Sequence, residues 1–122
     1  MESTRSLITE VYAAFNRRDI DSALALMSEQ VDWPKASEGG RIIGKDEIRV
    51  YWTRQWAEFD PHVEPLEIKA ETNGTTAVKV HQLVKDMHGD VLSDQVVGHT
   101  FTIADGLIER MCISEDKPAF GR

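Results

Sequence analysis

The hydrophobic period of the chain changes once along its length, and this change most strongly limits the folds that it can adopt. Up to about residue 60, apolar residues recur every three or four positions, which is typical of helices with one buried face. Beyond that point they alternate with polar residues, which is typical of strands with one buried face. Helices followed by consecutive strands predict an α+β fold rather than repeated βα units.

Three helices are predicted in the first half of the chain. The first ends at the polar segment 16–19, where Asp19 is placed to cap the second. The third begins after Gly44, has two acidic residues in its first turn and ends at Asp60–Pro61. Their buried faces are predicted to consist of Leu7, Ile8, Val11, Tyr12 and Phe15 in the first, of Ile20, Ala23, Leu24 and Met27 in the second, and of Ile48, Tyr51, Trp52, Gln55, Trp56 and Phe59 in the third.

Turn signals divide the second half into four longer strands. Asn73–Gly74 is a strong hairpin signal, and further turns are predicted at residues 88–90 and at Asp105–Gly106. Three apolar-faced helices need a sheet to cover, and a strongly twisted sheet can curve around them. We therefore predict a single domain, residues 1–122, in which three N-terminal helices close a cone-shaped, curved antiparallel sheet over one apolar pocket.

The composition limits the class of partner. The chain of 122 residues has a formal net charge of −7, which argues against a nucleic-acid partner, because phosphate binding requires clustered Lys and Arg. Its single cysteine, Cys112, allows no disulfide framework. We find no apolar run long enough for a signal peptide or a membrane span. These features together lead us to expect a cytoplasmic protein with neither a membrane nor a nucleic acid as partner.

Four segments resemble, in the right order, the nuclear-transport-factor-2-like superfamily, in its SnoaL-like branch of polyketide cyclases and relatives. The segment Tyr12–Asp19 is similar to the end of the family's first helix, and Val31–Trp33 to its first short strand. Gly44–Ile48 resembles the start of its third helix, and His99–Ile108 resembles its strand–turn–strand signature. The resemblance implies the cone fold. It does not imply one activity, because the superfamily includes isomerases, cyclases, hydratases and non-catalytic binders.

The catalytic groups of one relative, ketosteroid isomerase, are not retained at the matching positions. That enzyme uses a general-base Asp and an oxyanion hole made by a Tyr and a protonated Asp. The Tyr role falls on Val11, so Tyr12 comes one residue late and is expected to be rotated away from the pocket. The roles of the two aspartates fall on Trp33 and His99. Steroid isomerisation is therefore not predicted.

His99 is the main candidate for chemistry. Strand alternation places it on the inward face together with Gln95, Val97 and Phe101. A histidine in a pocket can act as an acid or base near neutral pH, whereas a histidine in a core needs only one hydrogen-bond partner. Both interpretations stay open, and we name His99 as the candidate catalytic residue.

A set of aromatic and amide side chains is predicted to surround His99. Trp33, Trp52 and Trp56 form either an aromatic surface for a flat apolar ligand or part of the packed core. Gln82 and Gln95 interrupt inward-facing apolar rows, so their amides either satisfy each other or bind a polar ligand group. The candidate substrate-binding residues are Trp33, Trp52, Trp56, Gln82, Gln95 and Met111.

Two hypotheses of different classes follow. In the first, the protein binds a small molecule and is a cofactor-free isomerase, cyclase or hydratase-type enzyme that acts on a small apolar or polyketide-like compound, with His99 as the acid–base group. In the second, the core is filled and the domain is a non-catalytic interaction module. No metal site is expected, since His62, His81 and His88 lack ligand spacing. A homodimer is expected through the outer sheet face, which is predicted to include Leu83, Val96, Ile108 and Cys112.

Overall fold

The three helices and the four long strands follow one another in the predicted order, and two further strands lie between the second and third helices. The structure is a computed structural model that describes residues 2–35, 39–70 and 74–114. The helices are α1 (Glu2–Asn16), α2 (Ile20–Leu24) and α3 (Lys45–Glu58). The strands are β1 (Met27–Pro34), β2 (Arg41–Ile43), β3 (Phe59–Ala70), β4 (Thr75–Asp86), β5 (Val91–Ala104) and β6 (Leu107–Ser114).

The first two helices are joined by a tight turn. The Asp19 carboxylate accepts a hydrogen bond of 3.2 Å from the backbone N–H of Ser22, which confirms the predicted cap of α2. Arg18, just before it, has a φ of 64°, a left-handed value that is costly for an L-residue with a side chain. Met27, predicted in the second helix, instead begins β1, because the Leu26 carbonyl accepts from the Ile108 N–H and draws this segment into the sheet.

The third helix is shorter than predicted. It ends at Glu58, and Asp60–Pro61 already belong to β3, where Asp60 is paired with Lys85 and Pro61 with Val84. Proline disfavours helical geometry in the residue before it, so this end of the helix is fixed close to the predicted place. Pairing with β4 then extends the strand back to Phe59.

The six strands form one curved sheet in the order β2-β1-β6-β5-β4-β3. Strands β3 to β6 are antiparallel neighbours, as predicted. The sheet as a whole is mixed, because β1 lies parallel to β6. The helices cover its concave face, and the predicted α+β cone fold is confirmed. The Asp105–Gly106 turn is confirmed as well, with positive φ at both residues, whereas Asn73 lies outside the described residues.

A β-bulge in the last strand corrects one prediction for the outer face. Thr102 is paired with Arg110 and Ile103 with Ile108, so Glu109 is an extra residue on β6. The bulge shifts the alternation by one residue, and Ile108 is fully buried in the core instead of lying on the outer face. Val96 is exposed and Cys112 half-buried, in agreement with the prediction.

Helix α1 is fastened to β3, which lies at one edge of the sheet. The Asn16 amide donates a hydrogen bond of 2.7 Å to the Val63 carbonyl and accepts one of 2.9 Å from the Val63 N–H. This two-point contact holds the C-terminal end of α1 against the concave face of the sheet. None of the helices in the described part of the chain is long and apolar enough to cross a membrane.

Candidate active site

A cavity of about 340 Å³ lies between α1, α3 and the concave face of the sheet. Its lining is mostly apolar and aromatic, with a few polar side chains. The described lining residues are Val11, Tyr12, Phe15, Trp33, Pro34, Tyr51, Trp52, Gln55, Phe59, Pro61, Val63, Gln82, Val84, Leu92, Ser93, His99, Phe101, Met111 and Ile113. A small apolar cavity with few polar groups is typical of sites for small molecules.

The central polar contact of this cavity joins α1 to β5. The Tyr12 hydroxyl lies 2.6 Å from His99 Nδ1, and the two rings are stacked, with 14° between their planes. Both side chains are only 5% exposed. Phe101 packs edge-on against Tyr12, at 5.9 Å between ring centroids. The two polar residues therefore form a hydrogen-bonded pair within an aromatic environment.

The position of Tyr12 contradicts the expectation that this side chain is rotated away from the pocket. Val11 and Tyr12 both line the cavity. Successive residues of a helix differ by about 100° in direction, and a buried helix face is at least that wide, so two neighbouring residues can border the same cavity. The shift of one residue relative to ketosteroid isomerase thus moves the tyrosine without removing it from the pocket.

Burial keeps both members of the pair uncharged. It lowers the pKa of His99 from 6.5 to about 4 and raises the pKa of Tyr12 above its usual range. At neutral pH each residue therefore carries one transferable proton, and one of these two protons forms the hydrogen bond between them. In either tautomer of His99, one N–H or O–H of the pair stays free to donate to another group.

Two of the three predicted tryptophans line the cavity. Trp33 and Trp52 are buried, with ring centroids 5.6 Å apart at 79°, and Trp33 also contacts Phe101. Trp56 is not among the lining residues. It lies one helical turn beyond Trp52, packs against Phe15 and Trp52, and carries the Arg18 guanidinium 5.3 Å from its ring. Trp56 thus supports the aromatic surface from behind.

Only one of the two predicted glutamines lines the cavity. They are directly paired across β4 and β5, yet only Gln82 lines the cavity. Gln95 is exposed, and its amide donates a hydrogen bond of 2.9 Å to the Ser93 hydroxyl, which corrects its expected place in the lining. The expected contact between the two amides is replaced by this bond to serine. Met111 is buried and lines the cavity, so the structure brings Trp33, Trp52, Gln82, His99 and Met111 together.

Sequence reasoning left out Tyr12 and Ser93 as members of the site. Ser93 lies six residues before His99 and is in phase with it on β5, so the alternation could have identified it. Asp32, which precedes Trp33, lies outside the lining. Its carboxylate forms an ion pair with Arg41, 2.5 Å from Arg41 Nε. Within the described ranges, no group of three or more His, Cys, Asp or Glu residues is placed to hold a metal ion.

Comparison with known proteins agrees with this architecture. The sequence matches the SnoaL-like domain family over residues 8–111. No curated protein matches it. An NTF2-like protein of unknown function from Burkholderia pseudomallei is 21% identical, with a TM-score of 0.81, and the alignment covers 98% of this chain and 95% of the other.

Two further solved structures are similar to this chain. TerC, crystallised with polyporic acid, is 25% identical, with a TM-score of 0.80 and coverage of 98% of this chain and 95% of TerC. A candidate polyketide cyclase from Xanthomonas campestris is 24% identical, with a TM-score of 0.74 and coverage of 92% and 89%. The fold is thus shared with proteins of differing descriptions, so a function has to be inferred from the residues of the site.

Proposed function

Because this chain belongs to the SnoaL-like domain family, we propose that its cavity binds a flat, apolar small molecule and holds a carbonyl oxygen of that molecule at the Tyr12–His99 pair. The observation that carries the proposal is the 2.6 Å contact between Tyr12 and His99 on the surface of a mostly apolar cavity. A neutral pair with one proton to donate, placed among apolar and aromatic side chains, is suited to bind and polarise an uncharged oxygen.

The ligand class follows from the other lining residues. Trp33, Trp52 and Phe101 present aromatic surfaces that favour a flat ring system. TerC was co-crystallised with polyporic acid, which supports a small-molecule ligand for a protein of this fold. The cavity also favours the pocket hypothesis over the filled-core hypothesis, since about 340 Å³ lies beside His99.

The same pair provides a route for proton transfer without a cofactor. In one tautomer, His99 Nδ1–H donates to the Tyr12 oxygen, the Tyr12 O–H donates to the ligand carbonyl, and His99 Nε2 is free to accept a proton from the adjacent carbon. The carbonyl then becomes an enolate that the Tyr12 O–H stabilises. Return of the proton from His99 Nε2 to another carbon of a conjugated enolate completes an isomerisation. In a cyclisation the enolate carbon attacks a second carbonyl, and the oxygen of that carbonyl takes the proton back from His99 Nε2.

The proposal is tested with 2-tetralone, a flat aromatic ketone with exchangeable protons beside its carbonyl. Binding is measured by the intrinsic tryptophan fluorescence, to which the cavity-lining Trp33 and Trp52 contribute. Turnover is measured by NMR as deuterium exchange at the carbons beside the ketone carbonyl. We expect the wild-type protein to accelerate the exchange and His99→Ala to reduce this acceleration about 100-fold or more. His88→Ala, at an exposed turn, is the matched control and should match the wild type.

The outcomes separate the hypotheses. Unchanged tryptophan fluorescence at saturating ketone would contradict the binding proposal. Binding without accelerated exchange would favour a non-catalytic binder. Full exchange activity in His99→Ala would show that His99 is not the acid–base group.

We also propose a homodimer through the outer face of the sheet, with a second copy of this chain as the partner. This face carries Val96, which is 44% exposed, with half-buried Leu83 as its diagonal neighbour and half-buried Cys112 farther along on β6. Charged residues such as Lys79 and Arg110 surround them. An apolar centre with a polar rim is typical of protein interfaces.

A further inference from the structure

Two polar side chains of the cavity, Gln82 and Ser93, lie apart from the Tyr12–His99 pair. Together with Leu92 they line what we call the outer end of the cavity. The inner end is lined by Tyr12 and His99. Exposure rises from 5% at His99 to 54% at Leu92, so the outer end is the one nearer to solvent. Polar side chains therefore line both ends of the cavity, and aromatic side chains contribute to the same lining.

Gln82 and Ser93 lie on neighbouring strands, in positions from which both can contact one ligand group. Gln82 is paired with Gln95, and Ser93 with Val84, so Gln82 and Ser93 are diagonal neighbours on the same concave face. Diagonal neighbours of an antiparallel pair lie about 7–8 Å apart at Cα, close enough for their side chains to reach the same atom from two sides.

The existing hydrogen bonds leave both groups free to bind. Gln95 Nε2 donates to Ser93 Oγ at 2.9 Å, so the serine oxygen accepts this bond and its own O–H remains available. The Gln82 amide makes no hydrogen bond to any residue that the structure describes. Gln95 is thus a positioning residue that orients Ser93, while Gln82 and Ser93 face the cavity.

The strand register sets the distance between the two ends. Val78 is the direct partner of His99, and Gln82 follows four residues later on β4. At about 3.4 Å per residue, Gln82 lies about 13 Å from His99 along the sheet, and Ser93, six residues before His99 on β5, about 20 Å. A ligand that contacts both ends of the cavity is therefore elongated.

The charge of the lining restricts these polar atoms further. The described lining residues include no Asp, Glu, Lys or Arg. The nearest charged groups on these strands, such as Asp94 paired with His81, belong to the outer face. An ionised ligand group would lose its hydration without gaining a partner of opposite charge, which is costly in an apolar cavity.

We infer that Gln82 and Ser93 form a second ligand contact, and that the preferred ligand is an uncharged, elongated aromatic compound with a carbonyl at one end and a hydroxyl group at the other. This inference rests on the proposed function, because the carbonyl end is assigned to the Tyr12–His99 pair. It adds the elongated shape, the polarity and the orientation of the ligand.

The test compares 6-hydroxy-2-tetralone, which has an oxygen at each end, with 2-tetralone, which lacks the hydroxyl. The readout is the ratio of their Kd values, so that a general change in affinity cancels. We expect the wild-type protein to bind the hydroxylated ketone about tenfold more tightly, as one additional hydrogen bond allows. Gln82→Leu and Ser93→Ala should each bring the ratio toward one, while Thr102→Val, outside the lining, should keep it.

The role of Gln95 is tested through Ser93. Gln95→Leu should lower the ratio in the wild-type background and change nothing further in a Ser93→Ala background, since its effect passes through the serine hydroxyl. An equal loss in both backgrounds would show a purely structural effect and contradict the positioning role.

The results distinguish this inference from the proposed function. If both ketones bind with equal affinity and Gln82→Leu leaves the ratio unchanged, the second contact is wrong and the proposed function stands. If the hydroxylated ketone binds more tightly but the preference survives in both Gln82→Leu and Ser93→Ala, the assignment to these residues is overturned. If neither ketone binds, the proposed function and this inference fail together.

Discussion

The Tyr12 hydroxyl lies 2.6 Å from His99 Nδ1, although 87 positions separate the two residues in the sequence. One residue comes from the first helix and the other from the longest strand, so the contact exists only when the cone is closed. Because both groups are buried and neutral, each provides the other with one hydrogen-bond partner. The pair therefore contributes to the stability of the fold as well as to the proposed site.

We predict that Tyr12 and His99 are energetically coupled. Tyr12→Phe removes the hydroxyl and leaves His99 Nδ1 buried without this partner, which should lower the free energy of unfolding by about 1–3 kcal/mol. In a cycle with His99→Ala, the two effects should differ from additivity by at least about 0.5 kcal/mol. Urea unfolding measures all three variants. Strictly additive effects would show that the contact does not stabilise the protein.

We predict that stability falls on mild acidification because of His99. Burial lowers the pKa of His99 to about 4, below the ordinary 6.5, so between these pH values the unfolded chain binds a proton that the folded protein does not. The contribution of neutral His99 to stability is therefore fully present above pH 6.5 and is lost as the pH falls toward 4. For such a shift the loss from this residue is about 3 kcal/mol.

The pH effect is measured as the free energy of unfolding from pH 7.5 to 4 in the wild type and in His99→Gln. The variant should lose stability less steeply over this range. His88→Gln, which changes an exposed histidine, is the matched control and should follow the wild type. An NMR titration gives a direct check, since ring protons of His99 that titrate near pH 6.5 would disprove the lowered pKa.

We predict that Arg18→Gly is more stable than Arg18→Ala, which is the reverse of the order expected in a helix. Its left-handed φ of 64° costs about 1–2 kcal/mol, whereas its guanidinium lies over Trp56 and pairs with Asp60 at 2.5 Å. Arg18→Ala loses the contacts and keeps the strained backbone, while Arg18→Gly loses both. Thermal unfolding should therefore show Arg18→Gly to be the more stable by about 1 kcal/mol.

Arg17 provides the control for this comparison. Its N–H bonds to the Ala13 carbonyl at 3.1 Å in helical geometry, so Gly should be less stable than Ala at that position. The same order at Arg17 and Arg18 would show that the backbone conformation does not determine the result.

We predict that Leu83→Glu dissociates the proposed homodimer. A carboxylate at position 83 would lose its hydration in the apolar contact and would lie opposite Asp94, its direct partner on β5. Light scattering after size exclusion should give twice the 13.8 kDa chain mass for the wild type and the single mass for the variant. Val50→Glu adds the same charge at an exposed site on α3 and should stay dimeric. A wild-type protein that is monomeric at micromolar concentration would contradict the proposal.

The sequence predicted the three helices and the four long strands in their correct order, because helical and strand periods report which face of each element is buried, whereas the short strand β2 was not predicted. His99, Phe101 and Trp52 were predicted to face inward on this basis, and all three are buried. The period carries no information about strand partners, so the parallel pairing of β1 with β6 was not foreseen. Nor does it reveal an extra residue in a strand, and the bulge at Glu109 moved Ile108 into the core.

The site was predicted less completely than the fold, since a site depends on where side chains end rather than on which face they leave. Tyr12 was placed away from the pocket by comparison with a relative, although the helix face is wide enough to include it. Gln95 has the correct phase, yet its hydrogen bond to Ser93 keeps its amide at the surface. Such choices depend on local hydrogen bonds that a periodicity does not contain.

The contact between Asn16 and Val63 has a consequence for the behaviour of the protein at high concentration. Strand β3 is an edge strand, and Val63 directs its N–H and carbonyl away from β4 and toward Asn16. Pro61 and Pro65 occupy the alternate positions on either side and have no N–H. At these three successive outward-facing positions, the edge of the sheet has no free N–H donor to offer an added strand. Fibril growth and strand exchange from this side of the sheet are thereby disfavoured.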